Sequence, residues 1–342
     1  MDAPPFSGLD VYAPKSCILT VPLPMAYAYS TLQTREVSTI HESSISKRRL
    51  RQNIPLYIMF APILVFFMIF KYYPMLGLVI AFKNYRFTEG IWGSKWIGLD
   101  MFKLIVHTSQ LLDIVWNTFL LSGLSIVAGF PAPIVLALLL NEVRRAWYKR
   151  TIQTFIYLPH FLNWVIIGGI VITLFSQSNG PINLWLDRLF GYTFPFLYNE
   201  TSWVVIFVGS GIWKEVGWGA IIYLAALSSI DQSLYEAAGI DGANKWQQIT
   251  RITIPGILPT VFIMLILKIG QLMEVGFDQV YVLQNNAVAK TAEVISTFMY
   301  KIGIQQAQFS LATAMGLFEG LVGLVLVVTA NTIARRFGHG LW

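Results

Sequence analysis

Residues 236–259 read EAAGIDGANKWQQITRITIPGILP, and the stretch decides how the rest of the chain is read. It belongs to a polar connection, residues 229–254, set between two long apolar runs. About 25 residues is too long for a tight turn. Tyr235, Ala238, Ile240, Trp246 and Ile249 recur at roughly helical spacing and predict an apolar stripe on a helix. Gly242 interrupts it where a glycine permits a positive φ and close approach of another backbone. Pro255 suits the first turn of the next helix, because its missing N–H would be unpaired there anyway. The expectation is a short helix, a bend and a second helix.

Composition demands a membrane around this connection. Apolar residues make up 55% of the chain and charged residues only 12%, whereas a soluble domain carries about 25% charged residues. Runs near the ~20 residues that cross a bilayer fall at 54–82, 113–140, 151–175, 202–228, 255–275 and 311–334. The fold class predicted is an all-α integral membrane protein with about six transmembrane helices. After Lys268 the apolar character fades, and residues 276–310 mix Asp278, Asn285, Asn286 and Lys290 with short apolar pieces. That stretch is expected to lie outside the membrane and to be partly helical. Tyr73-Pro74, and Pro131 with Pro133, predict kinks in the first and second spans.

Basic residues set the orientation. Lys47, Arg48, Arg49 and Arg51 precede the first span, Arg144, Arg145, Lys149 and Arg150 lie between the second and third, and Arg335 and Arg336 end the sixth. With six spans all three groups share one face, which is read as the cytoplasm of a bacterial cell, with both termini inside. The connection at 229–254 then lies on that face too. The loops at 83–112 and 176–201 face outward with Trp92, Trp96, Trp185 and Tyr192 at the interface. These clusters account for most of the net charge of +6. The basicity therefore points to anionic lipid headgroups, not to nucleic acid.

Residues 1–45 hold Pro4, Pro5, Pro14, Pro22 and Pro24 without a helical period, and read as a flexible cytoplasmic tail before a membrane domain at 46–342. A cleavable signal peptide is not expected, since a basic start and a clear cleavage site are missing. Cys17 is the one cysteine, so no internal disulfide can form. No G-x-x-x-x-G-K-[ST] run is present to cradle a nucleotide. His41, His107, His160 and His339 are scattered, and neither a catalytic constellation nor a metal site is legible. The chain reads as a non-enzyme.

The opening stretch resembles the cytoplasmic loop of bacterial ABC-importer permeases: E-A-A, three residues, G, nine residues, I, one residue, then L-P. Ile254 in place of the leucine is the only departure. Further runs, KYYPMLGLVIAFKNYRF (71–87), WIGLDMFKLI (96–105), YLPHFLNWVI (157–166) and WKEVGWGAIIYLAAL (213–227), resemble the maltose-type carbohydrate branch of that family. Within it they look most like the subgroup serving oligosaccharides and polysaccharides, the alginate importer included. The resemblance spans roughly residues 50–338. It implies a type I importer architecture in which Glu236, Ala237, Ala238 and Gly242 dock on a cytoplasmic ATPase. It further implies a second homologous permease, an ATPase dimer, an extracytoplasmic binding protein, and an oligosaccharide cargo, acidic in the alginate case. ATP and Mg would then act through the ATPase, with no cofactor held by this chain. An importer of the same fold for polyamine or phosphate is one alternative. An ion-coupled secondary transporter is another, and the docking loop speaks against it.

Ionisable groups in hydrocarbon cost about 3 kcal/mol each by insertion scales unless they face a cavity or a partner. Lys214 and Glu215 lie mid-way along the fourth span and Glu319 in the outer half of the sixth. Lys268 sits about 13 residues, or ~20 Å, above the cytoplasmic end of the fifth. Gln271 and Glu274 are expected to extend its face of that helix. These residues, with Trp213 and Trp218 as surfaces for sugar rings, are the candidate cargo pathway. Pairing of Glu215 with Lys268, or of Lys214 with Glu319, as structural ion pairs is the competing expectation. Gly316, Gly320 and Gly323 predict a small face on the sixth helix for close helix packing.

Overall fold

The computed structural model describes residues 53–336, 338 and 340. The expected tail at 1–45, Cys17 and the basic residues Lys47 to Arg51 lie outside the described residues. The chain divides into two units at residues 73 and 74, and each is taken by itself.

In the first unit Asn53 precedes a helix over Ile54–Phe67, with Pro55 in its first turn, followed by a π turn over Met68–Tyr72. In the second unit the chain tightens into a 3-10 helix over Leu76–Phe82. The irregularity foreseen at Pro74 is thus a change of hydrogen-bond pattern on either side of a residue that lacks an N–H. Ile54–Phe82 qualifies as one candidate span.

The second unit carries four more unbroken candidate spans: Ser109–Glu142, Glu200–Ser228, Lys245–Gly270 and Phe309–Arg336. The third expected span is broken. Ala146–Phe161 and Trp164–Phe175 meet at 104°, and counted together they give six crossings. Pro159 cannot donate an amide to the preceding turn, and Asn163 starts a new helix by accepting the N–H of Ile166 at 3.0 Å. The all-α class holds. The exception is a two-residue antiparallel ribbon that pairs Lys83 with Trp96 and Asn84 with Lys95.

Glu200–Ser228 is the central helix, packed against the second, third and fifth spans. Glycines let it approach closely. A Cβ on Gly217 would strike the Ile156 carbonyl, and one on Gly219 would meet Pro133 at 2.9 Å. Ala137, Ala220, Tyr223, Leu227 and Ile257 form the core beside these contacts. The small face foreseen on the sixth helix is displaced. Nothing approaches Gly320, whereas a Cβ on Gly323 would sit 3.2 Å from the carbonyl oxygen of Gly270 on the fifth span.

Residues 276–310 are partly helical as expected, and they pack closely against the spans. Val280, Leu283, Val288, Ala292 and Val294 are buried in one core with Trp203 and Phe207 of the fourth span. The reason is hydrogen bonding. Helices as short as Phe277–Leu283, Ala289–Ala292 and Ile295–Met299 leave most of their terminal backbone groups open, and span side chains fill the openings. Trp203 Nε1 donates to the Leu283 carbonyl at 2.9 Å, and Asn117 Nδ2 donates to the carbonyls of Lys290 at 2.6 Å and Glu293 at 3.2 Å. Thr118 Oγ1 accepts the Ile295 N–H at 2.9 Å. Each such bond adds about 1 kcal/mol net, and breaking one strands a buried group at greater cost.

Candidate functional site

The connection between the fourth and fifth spans is the helix, bend and helix expected. Asp231 caps Gln232–Ile240 by accepting the Ser233 N–H at 2.9 Å, and this bond holds its carboxyl below the ordinary carboxylate range. Gly242 has φ +77°. Its N–H donates to the Gly239 carbonyl at 3.2 Å while the Ala243 N–H donates to that of Ala238 at 2.8 Å. This pair of bonds is a Schellman stop, which needs a left-handed residue at Gly242. A capping box then starts the next helix: Asn244 and Gln247 exchange backbone and side-chain bonds at 2.8 and 2.9 Å. Tyr235 Oη meets Thr253 Oγ1 at 3.0 Å, closing the two helices on each other.

Glu236, Ala237 and Gly242 are exposed and Ala238 is half-buried, so the loop presents these residues outward. The expected stripe is only partly internal. Tyr235, Ala238 and Ile249 turn inward, but Ile240, two residues after Ala238 on the same helix and so on its opposite side, is 88% exposed, and Trp246 beyond the bend is 72% exposed. The outer surface is therefore apolar as well as acidic. Lys245 reaches Glu142 at 3.4 Å, which places the loop beside the end of the second span.

A cavity of about 430 Å³ opens among the spans of the second unit. Its polar lining comprises Ser122 and Ser125 of the second span, Glu215 and Trp218 of the fourth, Lys268 of the fifth, and Gln271, Glu274 and Gln279 beyond it. Five of the expected pathway residues thus meet in one space. Gln271 and Glu274 arrive by a different route than foreseen. The fifth helix ends at Gly270, and successive turns, including Glu274 N–H to the Gln271 carbonyl at 2.9 Å, fold both side chains toward the cavity.

The other three do not line it. Glu215 and Trp218 lie about 60° apart on the helix and both face the cavity, whereas Trp213 points about 160° away from Glu215. Trp213 lines a separate apolar groove with Ile170, Phe196 and Val205. Lys214 is buried. Glu319 is half-buried on the last helix and is not among the residues that line the cavity.

Neither expected ion pair forms. Glu215 is instead 3.0 Å from His160 Nδ1 and 3.6 Å from Lys214 Nζ, while among the described residues Lys268 makes no ion pair. Lys214 Nζ also donates to the His160 carbonyl at 2.7 Å and lies 5.7 Å from the Trp164 ring centre. The His160 ring stacks on Trp218 at 4.5 Å with an interplanar angle of 3°. Sequence reasoning passed over His160 because its partners lie 54 to 58 positions away. The signal available was Pro159 and Asn163, a helix stop and a helix start around it.

Residues 129–342 match the family described as "Binding-protein-dependent transport system inner membrane component". Protein LplB of Bacillus subtilis (strain 168) is 44% identical over 82% of this chain and 89% of its own length. The polygalacturonan/rhamnogalacturonan transport system permease protein YteP of the same organism is 43% identical over 85% of this chain and 91% of its own. A solved chain of a bacterial ABC transporter involved in the import of the acidic polysaccharide alginate superposes with a TM-score of 0.80. It shares 41% identity and covers 86% of this chain and 99% of that one.

Proposed function

Because the chain belongs to the family of binding-protein-dependent transport system inner membrane components, and is thus a multi-pass permease, we propose that its cargo is an oligosaccharide rich in uronate units. The observation that carries the cargo reading is the cavity lining. Hydroxyl, amide and carboxylate groups surround an indole, which suits a sugar. Among the described residues Lys268 enters the space without an ion pair, and the charge of Glu215 is offset by Lys214, while Glu274 adds a second carboxylate to the lining. Lys268 is the cation a cargo carboxylate would meet. YteP and the alginate transporter, similar over most of this chain, serve acidic polysaccharides by their names.

The loop around Glu236 is the surface for a separate ATPase subunit, which would bring ATP and Mg. Its shape supports this role: two capped helices held at a fixed angle can transmit a push without fraying. The Lys245–Glu142 contact sets the loop beside Arg144 and Arg145, and the distribution of basic residues supports reading that side as cytoplasmic. A second permease, an ATPase dimer and an extracytoplasmic binding protein complete the transporter in this reading.

The test is uptake into proteoliposomes holding the whole transporter. Oligogalacturonate and oligoalginate should be taken up well ahead of a neutral oligosaccharide of equal length, a polyamine or phosphate. Preference for any of the last three would contradict the cargo reading.

A further inference from the structure

We propose that His160 is a positioning residue which holds Trp218 and Glu215 together as one saccharide subsite in the cavity wall; the proposal rests on the cargo reading above. Three observations converge on it. First, the His160 ring covers one face of the Trp218 indole in a near-parallel stack at 4.5 Å, and Phe161 meets the same indole edge-on at 6.2 Å. The indole is nevertheless 46% exposed and lines the cavity. An indole backed on one side and open on the other is a platform for the flat C–H face of a pyranose ring.

Second, His160 Nδ1 lies 3.0 Å from Glu215 Oε2, and Glu215 lines the same cavity one helical turn from Trp218 with its side chain 48% exposed. A carboxylate offers about four acceptor sites. Those not engaged by His160 and Lys214 are open to equatorial hydroxyls at the rim of a sugar lying on Trp218.

Third, His160 itself cannot wander. It sits at the break of the third span, where Lys214 Nζ holds its carbonyl at 2.7 Å, and Pro159 beside it is buried. One imidazole thus fixes the tilt of the platform and the position of its acceptor, while itself lying outside the cavity lining. Stacked aromatic pairs contribute about 0.5–1.5 kcal/mol, so loss of the imidazole face should weaken cargo binding by roughly two- to tenfold.

The experiment is equilibrium binding of a labelled alginate pentasaccharide and a labelled tetragalacturonate to the whole transporter in nanodiscs, without the binding protein, alongside its melting temperature. His160→Phe keeps a flat ring against Trp218, whereas His160→Leu is apolar without one, and both lose the Glu215 contact. The expected result is weaker binding for His160→Leu than for His160→Phe at similar melting temperatures. The effects of His160→Leu and Trp218→Leu should also fall short of multiplying, because the two residues act as one unit. Equal binding by the Phe and Leu variants, or independent effects of His160→Leu and Trp218→Leu, would overturn the subsite while leaving the cargo reading in place. Binding of neither oligosaccharide by the wild type would overturn both.

Discussion

Lys214 Nζ lies 2.7 Å from the carbonyl oxygen of His160, 54 residues earlier in the chain. A helix that stops at a sharp bend leaves carbonyls without partners at its C-terminal end, and a cation is the donor best suited to them. The lysine foreseen as part of the cargo pathway is buried here against the third span. It satisfies the break between Ala146–Phe161 and Trp164–Phe175 and holds the third span to the fourth.

Lys214→Met keeps the length of the side chain and removes its charge. The stranded carbonyl and the loss of one Glu215 partner should cost about 1–3 kcal/mol, read as a lower melting temperature of the assembled transporter. An unchanged melting temperature would show that water or another group satisfies the break.

Gly242→Val should uncouple without unfolding. No atom lies within 4 Å of a Cβ placed there, so the obstacle is φ +77°, not crowding. A β-branched residue in the left-handed region costs upward of about 1–2 kcal/mol, enough to unwind the Schellman stop. Cargo-stimulated ATP hydrolysis and uptake should fall together while the helical circular dichroism of the membrane domain is retained. Normal stimulation in this variant would contradict the docking role of the loop.

Asn117→Leu should loosen the segment around Ala289–Ala292, since one side chain serves the carbonyls of both Lys290 and Glu293. Leaving them unpaired costs about 1–3 kcal/mol per group. Amide exchange across residues 289–295 should accelerate by one to two orders of magnitude, while exchange in Glu200–Ser228 stays slow. Uniform acceleration through the bundle would instead mean that the segment is not a separate unit of opening.

The cap of the loop helix has a pH dependence of definite sign. The carboxyl of Asp231 is held below its ordinary value of 3.8 by the Ser233 N–H. A depressed folded-state pKa gives stability that is fully present above the unfolded value and is lost as pH falls through the folded one. Protection of residues 233–240 should therefore be level across neutral pH and decline only in acid, below about pH 4. Asp231→Asn, which keeps an acceptor, should remove the acid decline. A decline near pH 6 would point to another group.

Much of the loop was legible in advance because its requirements are local. A left-handed stop needs a glycine, a first helical turn tolerates a proline, and both fell at the expected places. The cavity was legible only in part. Charges mid-span announce a polar interior, but which of Trp213, Lys214 and Glu215 enters it depends on partners distant in sequence, and Lys214 is engaged by the His160 carbonyl of the third span. The packing of residues 276–310 was not legible, because it rests on Gln279 and open backbone groups that bond to the fourth span, as in Gln279 Nε2 to the Phe207 carbonyl at 2.7 Å. His160 gave no signal of its own, since its importance lies in partners distant along the chain.

This chain is proposed to form a cargo route driven by an ATPase seated on the exposed loop around Glu236. The most direct measurement is accumulation of labelled oligogalacturonate or oligoalginate in proteoliposomes, with the ATPase subunits present or omitted and ATP supplied on their side. Accumulation is expected only when ATPase, ATP and loaded binding protein are all present, and it should be lost in Gly242→Val. Accumulation driven by an ion gradient without the ATPase would contradict the ATPase-driven route.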